Sequence, residues 1–287
     1  MTTRAWRIGF TSAAGLTLAA AVQLAVLPAA GAWLLLNGVR RVAVPPTPDA
    51  CEAARFTGAG VVLAGWRCNT SEPRRGTLIY LHGVSDNRHG VRGLVERFRA
   101  RGFDVVAYDS RAHGESTGDA CTYGFYEKQD LRRVIDAVAS GPVVLIGHSL
   151  GAAVALQEAA DDPRVATVVA AETFSDLRTV ATERAPFFFT GGTIRRGLAL
   201  AEWRGRFRVD DVSPARAAAH LAIPVLLIHG ALDSETTPEH SRRVEAALAG
   251  PKHLVLVPGA HHSQSLGGEV WPEIEQWIDR YVDGVAE

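Results

Sequence analysis

Net charge is nearly missing from this chain: 30 Lys and Arg against 31 Asp and Glu leave a formal −1 over 287 residues. With both signs scattered along the sequence, there is no basic footprint for nucleic acid and no acidic tail, which argues against a polyanion partner. Lysine is nearly absent, Lys128 and Lys252 being the only two, and no mechanism follows from that bias. Neither a P-loop nor a dinucleotide fingerprint occurs, so no cofactor is implied. The polar turn Tyr108-Asp109-Ser110-Arg111-Ala112-His113-Gly114-Glu115-Ser116 has no regular ligand spacing, so no metal is expected there. It reads as a structural turn in which Asp109 and Arg111 pair with each other or bond the backbone. No internal repeat or low-complexity tract breaks the chain, leaving room for one large domain.

Cysteine is also scarce. The three present, Cys51, Cys68 and Cys121, are an odd number, so at least one thiol is unpaired within the chain. A hairpin turning at Gly58-Ala59-Gly60 brings Cys51 near Cys68, while Cys68 with Cys121 is the other plausible pair in an exported domain. Three structural thiols are the remaining alternative.

What is present first is a long apolar run. From Ile8 to Leu36 no side chain is charged, and Arg4 and Arg7 precede it. About 20 helical residues cross a bilayer core, so Ile8 to Leu27 suffices, with the exit expected at Pro28. Residues 1–40 are therefore read as a membrane anchor; a cleaved signal is the alternative, because Ala30-Gly31-Ala32 has the small-x-small form, and a buried core helix is a third. Arg4 and Arg7 on one flank nearly balance Arg40 and Arg41 on the other, and the favoured side for the domain is extracytoplasmic. Val44-Pro45-Pro46-Thr47-Pro48 makes residues 41–50 a stiff linker, and the folded domain occupies 51–287.

Beyond a hairpin (Phe56-Thr57, then Val61 to Trp66), β-branched apolar runs alternate with stretches of helical period. The runs are Thr77 to Leu81, Phe103 to Tyr108, Val143 to Ile146, Val165 to Ala170, Pro224 to Ile228 and Leu254 to Val257. Helices are expected at Val91 to Ala100, Glu127 to Ala139, Leu150 to Ala160, Pro238 to Ala249 and Val270 to Val282. Such alternation predicts an α/β fold with a mostly parallel sheet covered on both faces. Residues 175–214 break the rhythm, and a connection that long is read as a small cap over a site. Within it, Phe187-Phe188-Phe189 either serve that cap or pack into the core.

Chemistry enters at Gly147-His148-Ser149-Leu150-Gly151, preceded by a strand and followed by a helix. This is the nucleophile-elbow pattern: the serine sits at a strained corner so that its hydroxyl projects, and the glycines leave room for the turn. A serine hydroxyl is almost unionised at neutral pH, so it needs an imidazole within reach and a carboxylate to orient that imidazole. Ile228-His229-Gly230-Ala231-Leu232-Asp233 and Pro258-Gly259-Ala260-His261-His262 supply these after later strands, in the order this topology uses. Asp233 is the expected acid, with Asp176 as its rival, otherwise a helix N-cap. His262 and His261 are the two candidate bases. For an oxyanion, two backbone N–H groups are expected, from Leu150 after the nucleophile and from Val84 in Leu81-His82-Gly83-Val84-Ser85. His82 is expected to brace that loop.

Over about residues 55 to 283, these five motifs in order resemble the α/β-hydrolase superfamily, most closely its membrane-attached members related to the prolyl-oligopeptidase-like serine hydrolases. The resemblance implies an eight-stranded sheet and hydrolysis of an ester, thioester or amide through an acyl-enzyme. It favours His262, because related enzymes show the base fifth in Pro-Gly-Ala-x-His, although they commonly carry glycine where His261 stands. The expected function is a serine esterase acting on a small-molecule ester or acyl substrate, with catalytic Ser149, Asp233 and His262. A peptidase or amidase on the same triad, or a non-enzymatic binding protein on the same fold, are the alternatives.

Overall fold

The computed structural model describes residue 15 and residues 18–37 and 46–283. The expected anchor, residues 1–40, and the expected linker, residues 41–50, therefore both lie partly outside the described residues. Within them, a π-helical turn, Val22–Val26, leads into helix α1, Leu27–Asn37. Pro28 lacks an N–H and crowds the preceding turn, and the wider π turn directly before it accommodates both defects. The helix thus runs on through Pro28, where the membrane exit was expected. Leu18–Asn37 is long and apolar enough to cross a membrane, by length and composition, and little of it is buried.

Eight strands form one sheet in the order β1-β2-β4-β3-β5-β6-β7-β8. These are β1 (Glu52–Thr57), β2 (Val62–Cys68), β3 (Gly76–Leu81), β4 (Phe103–Tyr108), β5 (Val143–His148), β6 (Val165–Ala171), β7 (Val225–Gly230) and β8 (Lys252–Val257). The hairpin β1–β2 is antiparallel and joins β4 antiparallel, and every pairing from β4 to β8 is parallel. A parallel sheet is buried on both faces, which is why its strands read as continuous apolar runs instead of alternating. Ile79, Val106, Leu145, Val168 and Leu227 enter the core on one face. Their neighbours Leu78, Val105, Val144, Val169 and Leu226 enter it on the other.

Helices α3 (Glu127–Val138), α4 (Leu150–Ala159) and α8 (Pro238–Ala247) close the first face. Helices α2 (Arg92–Arg99) and α9 (Trp271–Asp283) close the second.

The hairpin register sets Glu52 opposite Arg67, so Cys51 meets Cys68 one step further out, and the two form a disulfide with a Cα separation of 4.0 Å. Cys121 is free and buried. Closing a loop of 17 residues restricts the unfolded chain by about 3 kcal/mol. Reduction is accordingly expected to lower Tm by roughly 6–12 °C in a domain of this size. Thermal unfolding with and without reductant measures it, and an unchanged Tm would show that the bridge contributes nothing.

The interval 175–214 holds helices α5 (Leu177–Glu183) and α6 (Gly191–Gly205), and α7 (Pro214–Ala218) begins at its end. Thr190 caps α6 by accepting from Thr193 N, and Ser213 caps α7 by accepting from Arg216 N, each satisfying a first-turn donor that has no partner inside its helix. This insertion has its own small core of Phe174, Leu177, Val180, Leu198, Ala201 and Phe207, and that core includes Ala32 and Leu36 of α1. The N-terminal helix is thus packed onto the domain, and Cys121 N donates to Leu36 O at 2.7 Å. Core packing of the three phenylalanines does not occur: Phe187 is 99% exposed and Phe188 49%, while Phe189 is half-buried.

Candidate active site

Ser149 stands between β5 and α4 with φ 49° and ψ −110°, a left-handed backbone that a non-glycine residue holds only when its surroundings force it. The forcing is steric. A Cβ on Gly147 would lie 2.4 Å from Gly151 O, and one on Gly151 would lie 2.1 Å from Leu81 O. Only glycines allow the helix to start so close to the strands. Ser85, Glu172 and Ser263 share the positive φ, and all three lie around Ser149, so backbone strain is gathered at this end of the sheet.

Three distant side chains meet there. His262 Nε2 lies 3.2 Å from Ser149 Oγ, and His262 Nδ1 lies 2.6 Å from Asp233 Oδ2. With Nδ1–H donating to the carboxylate, Nε2 is left to accept from the serine hydroxyl. Asp233 is held in turn. Its Oδ1 accepts from Glu235 N and Thr236 N, each at 2.9 Å, and buried His229 approaches Oδ2 at 3.3 Å. Burial opposes ionisation of Asp233, but hydrogen bonds from His229, His262 and Thr236 outweigh it and hold its pKa well below the carboxylate range. Burial likewise opposes a charged His262, and the bond and charge of Asp233, helped by Glu172, prevail and raise its pKa above the usual 6.5.

No sequence motif marks Glu172. It follows β6 directly and is fully buried. Its Oε2 accepts from His148 Nε2 at 2.9 Å and from Ser263 N, and its Oε1 accepts from Ser265 N at 3.0 Å. The same Oε2 is 3.5 Å from His262 Nδ1, so a second carboxylate faces the imidazole nitrogen that Asp233 binds. Burial raises the pKa of Glu172, yet the bonds from His148 and the two serine amides bring it down to about 2. Asp176, the rival acid, instead begins α5 and accepts from Ser213 Oγ at 2.5 Å. His261 is exposed, and its N–H donates to Gln264 Oε1.

Leu150 is the first residue of α4, so its N–H is one of the donors a helix cannot pair internally. Gly83 lies against Ser149 from the other side, since a Cβ there would be 2.7 Å from His148 Nδ1 and 3.5 Å from Ser149 Cβ. Val84 follows it. His82 braces this loop: its Nδ1–H donates to Gly83 O at 2.7 Å, and its Nε2 accepts from Ser110 N at 2.9 Å. Burial, reinforced by His113, keeps it neutral by lowering its pKa to about 3.

The polar turn after β4 is structural, but Asp109 and Arg111 do not pair with each other. Asp109 accepts from Arg88 and from the Glu115 amide, while Arg111 makes a two-pronged pair with Asp130 at 2.7 and 2.8 Å. Ligand atoms of His148, Glu172 and His262 lie within 4.8 Å of one another and could hold a cation, but here they are engaged in the hydrogen bonds just given.

Two cavities meet at the loop after β3, sharing Val84 and Ser85 as a common edge. One, of about 430 Å³, is polar, with Asp86, His148 and Ser263 on its walls. The other, of about 410 Å³, is mostly apolar and lies beneath the insertion.

A family model for the alpha/beta hydrolase fold matches residues 76–222. Over 245 residues the chain is 28% identical to the uncharacterized protein YfhR of Escherichia coli O157:H7, covering 79% of this chain and 80% of that protein. It is 25% identical over 268 residues to a monoacylglycerol lipase of Mycolicibacterium smegmatis, covering 77% of this chain and 91% of the lipase. Among solved structures, the Pyrococcus furiosus esterase Pf2001 superposes with a TM-score of 0.67 at 22% identity, covering 86% of this chain and 99% of the esterase. The matched segment runs from β3 through the glycine-flanked corner at Ser149 to the end of α7, and on that ground the chain belongs to the alpha/beta hydrolase fold family.

Proposed function

We propose that the protein is a membrane-attached serine hydrolase that cleaves carboxylic esters or thioesters through an acyl-enzyme. The observation that carries this is the relay from Ser149 through His262 to Asp233, at 3.2 and 2.6 Å. Ser149 Oγ attacks the carbonyl carbon while His262 Nε2 takes the hydroxyl proton. The tetrahedral oxyanion is held by the Leu150 and Val84 amides, and its collapse expels the alcohol or thiol, which receives the proton from His262. Water then attacks the acyl-enzyme by the same route, releasing the acid and restoring Ser149. Asp233 keeps His262 in the tautomer that accepts at Nε2 and stabilises the imidazolium formed in each half. Each amide at the oxyanion is worth about 3 kcal/mol of barrier.

Ester cleavage is favoured because the cavity lined by Leu34, Leu177, Val180 and Leu198, which reaches Val84 in the loop after β3, suits an acyl group. The relatives named as esterase and lipase point the same way. Uncleaved attachment is supported by Ala32 and Leu36, which are integral to the insertion's core; signal removal after Ala32 would cut that packing apart. The Cys51–Cys68 bridge supports an extracytoplasmic domain, since disulfides persist in oxidising compartments.

A fluorophosphonate probe followed by peptide mass mapping tests the assignment directly. Label on Ser149 is expected, and a chain that resists the probe under native conditions is not a serine hydrolase. A second measurement follows from the base. His262 acts as acceptor only when neutral, and its pKa is raised, so the acid limb of kcat/KM must fall at a pH above 6.5, activity being lost as pH drops through it. A limb centred below 6.5 would mean that the negative charges beside His262 do not govern it.

A further inference from the structure

We infer that the N-terminal apolar helix is one wall of an acyl-chain site, shared with the insertion, in addition to serving as a tether. The inference rests on the ester-hydrolase reading above and names the part of the substrate that reading leaves open. The cavity of about 410 Å³ is bounded on one side by Gly31, Leu34 and Leu35 of α1 and on the other by Ala181, Ile194 and Leu198 of the insertion. It reaches Val84 and Ser85, which directly follow Gly83, where a Cβ would lie 3.5 Å from Ser149 Cβ. An acyl chain whose carbonyl is held at the Leu150 and Val84 amides therefore has an apolar slot leading away from the reacting carbon, of a size usual for ligand sites.

The helix is fastened in that place. Gln23 Nε2 donates to Phe188 O at 2.8 Å, and Thr193 Oγ1 bonds Gln23 as well. Pro28 O faces Gly197, where a Cβ would be 3.4 Å away, and Leu36 packs beside Gly205. Residue numbers rise together along these contacts, so α1 and α6 run in the same direction and touch from one end to the other. Leu34 lines the cavity yet is 61% exposed, and Trp33, Phe187 and Phe188 are exposed with it. The slot opens beside an apolar surface, so its occupant is the hydrocarbon chain of a lipid-borne ester. Each methylene moved from water into the slot contributes about a fourfold factor in binding.

The test uses the full-length chain in detergent, with p-nitrophenyl acetate and p-nitrophenyl decanoate as probes. The readout is the ratio of kcat/KM for decanoate over acetate. Gly31→Phe must fill the slot or push Phe189 aside, because even a Cβ at Gly31 meets Phe189 Cε2 at 3.2 Å. It is expected to lower the ratio at least tenfold. Ala181→Phe, on the facing wall, is expected to do the same. Trp203→Gln, on α6 but outside the cavity, keeps the wild-type ratio. Leu35→Trp repeats the test should Gly31→Phe fail to fold.

A ratio lowered by Ala181→Phe but not by Gly31→Phe or Leu35→Trp overturns the role of the helix. A ratio lowered equally by Trp203→Gln overturns the cavity as its cause. If neither ester is turned over and the fluorophosphonate leaves Ser149 unlabelled, the hydrolase reading itself fails and the acyl site falls with it. Ser149-dependent acetate turnover with no effect of any wall variant removes the acyl site alone.

Discussion

Ser149→Ala is expected to reduce kcat on p-nitrophenyl esters by about 10⁶, the loss seen when a member of such a relay is removed. In the proposed mechanism the hydroxyl supplies the attacking atom, and it is the group at 3.2 Å from His262 Nε2. His262→Ala should cost nearly as much, and the double variant little more, because the two act as one unit. Residual turnover comes from the two amides and from binding alone. The paired histidines separate cleanly in the same assay: His261 is exposed and directs only its backbone toward Gln264, so His261→Ala should leave kcat within about twofold, in line with surface substitutions generally. Equal losses for His261→Ala and His262→Ala, or turnover by Ser149→Ala near the wild-type level, would remove Ser149 and His262 from the mechanism.

Replacing Asp233 by asparagine tests the orienting carboxylate. The Glu235 and Thr236 amides both donate to Oδ1, so the carbonyl oxygen of the substituted side chain is drawn to them and its amide nitrogen turns toward His262. A donor there favours the wrong imidazole tautomer, a change that costs about 10⁴ in kcat in relays of this kind. Here a second carboxylate, Glu172, sits 3.5 Å from the same nitrogen. The loss for Asp233→Asn is therefore expected to stop at about 10³, with the remaining tenfold appearing only when Glu172→Gln is added. Because Glu172 also holds the Ser263 and Ser265 amides, a mere structural role would lower activity in the single Glu172→Gln variant by the same factor as in the Asp233→Asn background. Such equal factors would exclude Glu172 as a reserve partner for His262.

The parts of the site that could be read from the chain are those tied to local backbone geometry. Gly147 and Gly151 are required by a turn within five residues, so the corner at Ser149 is visible as spacing. Asp233 and His262 each follow a strand whose end is marked by glycine, which makes both locatable without knowing what they face. Glu172 carries no such mark. It is one more acidic residue after an apolar run, and it matters only because β6 lies between β5 and β7 and delivers it behind His148. The same holds for Arg111, whose partner Asp130 is 19 residues away on α3.

Periodicity and glycine spacing act over a turn or two of chain, so the strands, the five helices that alternate with them and the serine corner are legible in the sequence. It also narrowed the acid and the base to two candidates each. Tertiary structure alone decided that Cys68 bonds Cys51 and not Cys121, that Glu172 stands second to Asp233, and that the apolar N-terminal helix lies against the insertion as a cavity wall. These depend on which surfaces the parallel crossovers bring face to face, and contacts between residues so far apart leave no periodic trace in the chain.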